Sequence, residues 1–205
     1  MPKANLMAEI VVPGELVSNS PLHINYAYIE GGKTFSSVLA LKGPDGKLIP
    51  LQGPYNPVEG DFVVGIIVGV RFAGYDIWLN TPYPGFLSVR DCRDKFELGD
   101  YLSATIRFVD EVKNISLEEP RLLRGGTVVK FPPVKIPRLI GKKNSMLQLI
   151  RSKTGCELVV GRNGNVWIGP GKTVLAIKTL AKIEREAHIS GLTDRIDTFL
   201  SNNGD

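Results

Sequence analysis

Nine basic side chains and no acidic one lie from Arg121 to Cys156, in a chain of 205 residues whose formal net charge is only +4. Arg121, Arg124, Lys130, Lys135, Arg138, Lys142, Lys143, Arg151 and Lys153 make up this run, so the remainder of the chain is net acidic. A segment polarised in this way suits a polyanion, because each phosphate neutralised by Lys or Arg releases condensed counterions. The competing reading is a solubilising surface. Inside the run, Ile136-Pro137-Arg138-Leu139-Ile140-Gly141-Lys142-Lys143-Asn144-Ser145-Met146 reads as a short helical turn, a Gly-x-x-x loop and a second helix start. Gly141 has no side chain to hold a sugar-phosphate backbone away, Lys142 and Lys143 supply charge, and the free amides of the second helix can donate to phosphate. Asn144 ends the loop, tolerating a left-handed backbone while adding bulk that a glycine would not.

A second glycine-bracketed stretch, Gly161-Arg162-Asn163-Gly164, has similar spacing but a different context. It falls between two apolar segments, no helix comes after it, and Asn-Gly is a strong hairpin signal, so Gly161, Asn163 and Gly164 are assigned to a structural turn. A third candidate is Arg71-Phe72-Ala73-Gly74-Tyr75, which joins two predicted strands and could offer Phe72 and Tyr75 as rings for nucleobases. Stacking is worth about 1–3 kcal/mol per base and tolerates any base. Trp78, inside an alternating strand, is expected in the core.

Catalytic chemistry finds little support. Asp91-Cys92-Arg93-Asp94 and Glu118-Glu119 are the closest carboxylate pairs, and solvated charge explains both better than a metal site. His23 and His188 are the only histidines and Cys92 and Cys156 the only cysteines, so no cluster has metal-ligand spacing. Both cysteines are expected to be reduced and buried, and His188, one turn after Glu184, reads as a surface pair or a packed helix end. No catalytic residue, metal or cofactor is expected.

The elements that would position these residues fall into three stretches. Residues 1–56 alternate short apolar segments with turns, such as Glu9-Ile10-Val11-Val12 before Pro13-Gly14, and a hairpin is expected at Asp45-Gly46 between 38–42 and 47–51. This reads as a small β domain ending in Gly53-Pro54-Tyr55-Asn56-Pro57, which breaks any regular element. Residues 57–120 carry five predicted strands, at 61–70, 75–80, 85–89, 101–109 and 114–117, the number and length that suit an OB barrel. Residues 121–205 change rhythm: a strand at 127–134, helical material over 137–154 interrupted by Gly141, strands at 157–160 and 165–168, and a helix from about Thr173. A last helix is expected near Thr193, with that residue as its cap, burying Ile196, Phe199 and Leu200, and residues 201–205 are expected to fray. The fold class is therefore mainly β with an α+β carboxy-terminal part.

The longest unbroken apolar run near Val63–Val70 is too short to cross a bilayer, and Met1-Pro2-Lys3 does not open a secretory signal. A cytoplasmic protein without a membrane span is expected.

Taken together, Val12-Pro13-Gly14-Glu15, Tyr28-Ile29-Glu30-Gly31-Gly32-Lys33, Pro82-Tyr83-Pro84-Gly85-Phe86-Leu87, Pro137-Arg138-Leu139-Ile140-Gly141-Lys142-Lys143, the hairpin from Gly161 to Trp167, and Glu186-Ala187-His188-Ile189-Ser190-Gly191-Leu192-Thr193-Asp194-Arg195 resemble the RNA-binding cap subunit of the archaeal exosome over nearly the whole chain. That family joins an amino-terminal β domain to an S-one-type OB fold and a KH domain (β-α-α-β-β-α) with a carboxy-terminal helix. The resemblance implies a non-catalytic subunit that recruits single-stranded RNA and feeds its three-prime end to a hexameric ring of RNase-PH-like proteins, on which three such caps sit. It implies RNA contacts at Arg138, Gly141, Lys142 and Lys143 of the KH loop, with Asn144 departing from the family's Gly-x-x-Gly pattern. Arg71, Phe72 and Tyr75 would face the ring's pore, and the amino-terminal domain would dock on the ring; Lys130, a member of the basic run, is placed in the RNA-binding set as well. The alternative is a translation or ribosome-associated RNA-binding factor, since such factors share these domain types.

Overall fold

A computed structural model describes residues 9–203 apart from 25, 44, 45, 52, 54, 188 and 190, so the expectation for His188 lies outside the described residues. The chain divides into two compact units, Met1–Pro54 and Tyr55–Asp205.

In the first unit, β1 (Glu9–Val11), β5 (Ala40–Lys42) and β6 (Leu48–Pro50) form one three-stranded sheet, in the order β1-β5-β6. β2 (Leu16–Ser18), β4 (Lys33–Ser36) and β3 (Ala27–Glu30) form another, in the order β2-β4-β3. The core is small, built on Val11, Val17, Ala40 and Leu48. Buried Thr34 and Ser36 supplement it by tying down loops: Thr34 Oγ1 donates to the Ser20 carbonyl and accepts from the Leu22 amide, and Ser36 Oγ donates to the Val38 carbonyl. The hairpin expected at Asp45-Gly46 joins β5 to β6, with Lys42 opposite Leu48 and Gly46 at φ +76°; Asp45 itself lies outside the described residues.

The second unit opens with a closed barrel of β7 (Phe62–Val70), β8 (Gly74–Trp78), β9 (Gly85–Ser88), β10 (Tyr101–Val109) and β11 (Ile115–Leu123), in the order β10-β11-β9-β8-β7. Only the β9–β11 pair is parallel. The inward residues of alternating strands fill it, among them Val63, Ile67, Ile77, Leu87, Leu102, Ile106 and Leu117. The fifth strand extends well past Leu117. Pro120 does not end it, because a register shift falls between the pairs Ser103–Arg121 and Thr105–Glu118, and Glu119 there takes φ +53°. A bulge is where a strand tolerates a residue without an amide hydrogen.

The carboxy-terminal part runs β12 (Thr127–Lys130), α1 (Ile136–Ile140), α2 (Ser145–Thr154), β13 (Leu158–Val160), β14 (Asn165–Ile168), α3 (Thr173–Glu186) and α4 (Leu192–Asn202). Its antiparallel sheet has the order β12-β14-β13. Ile136, Leu139, Met146 and Ile150 from the first two helices, Leu180 and Ile183 from α3, and Ile196 and Leu200 from α4 share one core with the sheet. Two expectations for the end of the chain need correction. Thr193 does not cap the last helix, which starts at Leu192 behind a left-handed Gly191, and the helix runs through Asn202 instead of fraying at Ser201. Arg195 and Lys182 both reach Glu186, at 3.0 and 2.6 Å, joining α3 to α4. The hydrogen bond from Lys182 is the main cause that holds the Glu186 carboxyl below its ordinary pKa.

Candidate nucleic-acid interface

The loop between α1 and α2 is built from three uncommon backbone conformations. Gly141 has φ +74° and ψ 172°, and a Cβ placed there would lie 2.8 Å from the Met146 amide nitrogen and 2.9 Å from its Cβ. Glycine at 141 is therefore what keeps the first turn of α2 uncovered. Lys143 (φ +54°) and Asn144 (φ +63°) are both left-handed, a conformation that asparagine accepts and lysine adopts at some cost. Asn144 makes no side-chain capping bond to α2, so the first amides of that helix carry no cap from it. Lys142, Lys143 and Asn144 are exposed, as is Arg138 on α1. Among the described residues Arg138, Lys142 and Lys143 have no acidic partner. An open helix terminus flanked by three such cations can receive phosphate groups.

The rest of the basic run is not part of this surface. Lys135 Nζ donates to the Glu184 carbonyl at 2.9 Å, and Lys153 pairs with Asp197 at 3.4 Å. Arg121 lies 3.8 Å from Glu157, and Arg151 donates to the Leu158 carbonyl. Lys130 leaves its own sheet and sits over the Trp78 ring of the barrel, 4.8 Å from the centroid. Trp78 is thus not a core residue. Counted from Gly74, the inward positions of β8 are Tyr75 and Ile77, which turns Trp78 to the outer face, half-buried beneath a cation.

The same parity removes Tyr75 from the stacking candidates. It is 6% exposed, its hydroxyl accepts from the Phe96 amide at 3.3 Å, and its ring meets Phe96 edge to face at 5.4 Å. Phe72, by contrast, is fully exposed at the tip of the β7–β8 turn, beside Arg71, whose Nε donates to Asp76 at 2.6 Å.

The hairpin from Gly161 to Gly164 does more than turn the chain. The Gly164 amide donates to the Gly161 carbonyl, the Gly161 amide donates to the Asn165 carbonyl, and only Gly164 has positive φ, at +84°. That is a three-residue loop with a glycine bulge, not a two-residue primed turn. Asn163 is completely buried: its Nδ2 donates to the carbonyls of Val64 (2.7 Å) and Leu79 (2.8 Å), and its Oδ1 accepts from the Val64 amide (3.3 Å). Asn165 Nδ2 adds a second bond to Val64 at 2.7 Å, and Trp167 packs with Val64 and Leu123. Nearby, Asp61, 6% exposed, accepts from Tyr55 Oη at 2.8 Å and pairs with Arg162 at 3.2 Å. Burial first, and then the hydrogen bond to Asp61, raises the Tyr55 pKa far above its ordinary value. The hairpin thus keys the α/β part onto the barrel. No local signal marks Asp61 and Arg162 as partners, since a hundred residues separate them.

The two carboxylate pairs come together. Asp91, Asp94, Glu118 and Glu119 line one cavity of about 450 Å³ together with Arg93, Phe96 and Pro120. Arg107 stands between them, 3.6 Å from Asp91 and 3.1 Å from Glu118, so one carboxylate of each pair is met by a guanidinium. Among the described residues no three His, Cys, Asp or Glu side chains are placed to hold a metal ion. Cys156 is buried as expected, while Cys92 is only half-buried; burial, and then Asp91, pushes its thiol pKa up. Among the described residues no helix is long and apolar enough to cross a membrane.

This architecture, a five-stranded barrel keyed to a β-α-α-β-β-α domain with a basic glycine-opened loop, defines a KH-domain protein with an OB-type barrel, and residues 126–174 match the KH domain family. Over its length the chain is 37% identical to the exosome complex component Rrp4 of Pyrococcus furiosus, with 94% of this chain and 82% of that one aligned. It is 40% identical to the Rrp4 of Methanothermus fervidus, with 94% and 95% aligned. A crystal structure assigned as an exosome complex RNA-binding protein superposes with a TM-score of 0.66 at 31% identity, covering 73% of this chain and 97% of that one. The chain belongs to the Rrp4 family of exosome complex components.

Proposed function

We propose that this protein is a non-catalytic, RNA-binding cap subunit of an exosome, which holds single-stranded RNA on its KH loop and delivers the three-prime end to a phosphorolytic ring. The observation that carries this reading is the loop at Gly141–Asn144: three exposed cations, without acidic partners among the described residues, flank a helix start that no side chain caps, in a chain of the Rrp4 family. Arg138, Lys142 and Lys143 take phosphates, Gly141 lets the backbone approach, and Asn144 supplies the left-handed turn. On the barrel, Phe72 is the ring offered to a base, with Arg71 beside it and Lys130 on the flank.

The amino-terminal β unit is the ring-docking element of this proposal. Ile10, Val12, Leu16, Leu22, Tyr28 and Ile29 leave it with an exposed apolar surface suited to a protein partner. Three copies, or copies mixed with a paralogue, would cap a hexameric ring of RNase-PH-like subunits in the cytoplasm.

The test is a binding isotherm of the full chain with a labelled single-stranded oligoribonucleotide at several salt concentrations. Replacing Lys142 and Lys143 together by alanine is expected to weaken binding and to reduce the slope of log K against log salt by about 1.4, from about 0.7 per phosphate contact. An unchanged slope would remove the loop from the RNA path.

A further inference from the structure

One cation of the basic run occupies a position that phosphate binding does not explain. Arg151 lies on the same face of α2 as Leu147, one turn further from the Gly141 loop and about 9 Å along the axis from Ser145. Its side chain crosses to β13 and its Nη2 donates to the Leu158 carbonyl. β13 is an edge strand, paired only with β14. The Glu157 carbonyl accepts from the Gly169 amide and the Gly161 amide donates to the Asn165 carbonyl, so 157, 159 and 161 turn their bonding groups inward and Leu158 turns its own outward. Half-buried Ile140, Leu147 and Val160 lie on the elements that flank this edge.

An unpaired strand edge beside half-buried apolar side chains presents backbone acceptors and donors. An outward carbonyl there is suited to accept from the exocyclic amino group of adenine or cytosine, and so to tell those bases from ones lacking the group. In this chain the Arg151 guanidinium already donates to that carbonyl, and a guanidinium face stacks with a base of any kind.

We propose that Arg151 sets the base tolerance of the KH groove, by capping the Leu158 carbonyl that would otherwise read base amino groups. This rests on the loop at Gly141–Asn144 being the RNA path. It goes beyond that path in assigning what the groove does with the bases once the phosphates are held.

The experiment compares oligomers of adenosine and of purine riboside, equal in length and differing only in the 6-amino group, bound to the full chain and to two variants. Arg151→Ala uncovers the carbonyl. Arg151→Met does the same while keeping a long apolar stem over the groove, and guards against a packing effect of the truncation. In both variants the affinity ratio of the adenosine to the purine riboside oligomer is expected to rise by roughly fivefold over the parent, about the contribution of one net hydrogen bond. An equal loss for both oligomers would overturn the proposal and make Arg151 one more phosphate contact. An unchanged ratio with unchanged affinities would place the bases away from β13 and overturn it as well. Lys142→Ala/Lys143→Ala, measured alongside, separates the two levels. If that variant binds like the parent, the RNA path itself is wrong; if it weakens while the Arg151 ratio stays flat, only the role of Arg151 fails.

Discussion

Gly141–Asn144 and Gly161–Gly164 have nearly the same spelling and opposite fates. Each opens on glycine, carries a basic residue next, and contains an asparagine near its end. In the first, Asn144 is exposed and its side chain caps nothing in the helix behind it. In the second, Asn163 is fully buried with three hydrogen bonds to the barrel. The element that succeeds each loop decides the outcome. A helix start leaves amides pointing outward with no intrahelical partner, so the first loop is open to an external acceptor. A β-strand leaves no such surplus, so the polar groups of the second are met internally. Spacing alone carries no information on which is which.

The largest expected effect of breaking this contrast is at the buried loop. Asn163→Ala strands the Leu79 carbonyl and the Val64 amide inside the barrel contact, while Asn165 still serves the Val64 carbonyl. With a penalty of about 1–3 kcal/mol for each of these two buried groups left unmet, a loss of roughly 2–6 kcal/mol is expected in denaturant unfolding. A loss below about 0.5 kcal/mol would mean the hairpin only turns the chain. At the open loop the expected cost is smaller and its character different. Gly141→Ala puts a methyl group against the Met146 amide in a positive-φ, extended-ψ backbone that only glycine adopts readily, at a cost of about 1–3 kcal/mol, and it covers the helix start. RNA affinity is expected to fall by more than the stability change accounts for, whereas Asn163→Ala, measured where it remains folded, is expected to leave the loop's intrinsic affinity within about twofold.

The order of elements in the second unit was legible in the sequence, because its signals are local: apolar alternation in the barrel, the switch to helical spacing after Gly126, and Gly141 between two helices. Individual site residues were harder. Tyr75 and Trp78 exchange roles because the parity of β8 is set from Gly74, and a one-residue error in where a strand begins inverts every side chain along it. The basic run looks continuous in one dimension, yet Lys130, Lys135 and Arg151 are drawn to a ring and two carbonyls by the way distant elements pack. The two carboxylate pairs meet because β9, which leads into Asp91 and Asp94, runs parallel beside β11, and Arg107 reaches Asp91 and Glu118 from the neighbouring β10. Such contacts depend on topology, and no window of sequence contains them.

The smallest expected effect sharpens the comparison most, because it makes the two loops alike. Asn144→Gly turns the open loop into a glycine-bracketed one without touching a charge. At φ +63° a glycine relieves the left-handed cost of a side chain, but the unfolded chain gains freedom, so the two terms oppose and stability is expected to change by less than about 1 kcal/mol. Binding has no such cancellation if the asparagine side chain stands where a phosphate approaches: losing that bulk is expected to tighten RNA binding severalfold at low salt, with the salt slope unchanged because no cation has been added. A steeper slope would mean that the substitution remodels the loop and recruits further contacts. An unchanged affinity would show that the strand passes Asn144 at a distance, leaving Gly141 and the cations to hold it.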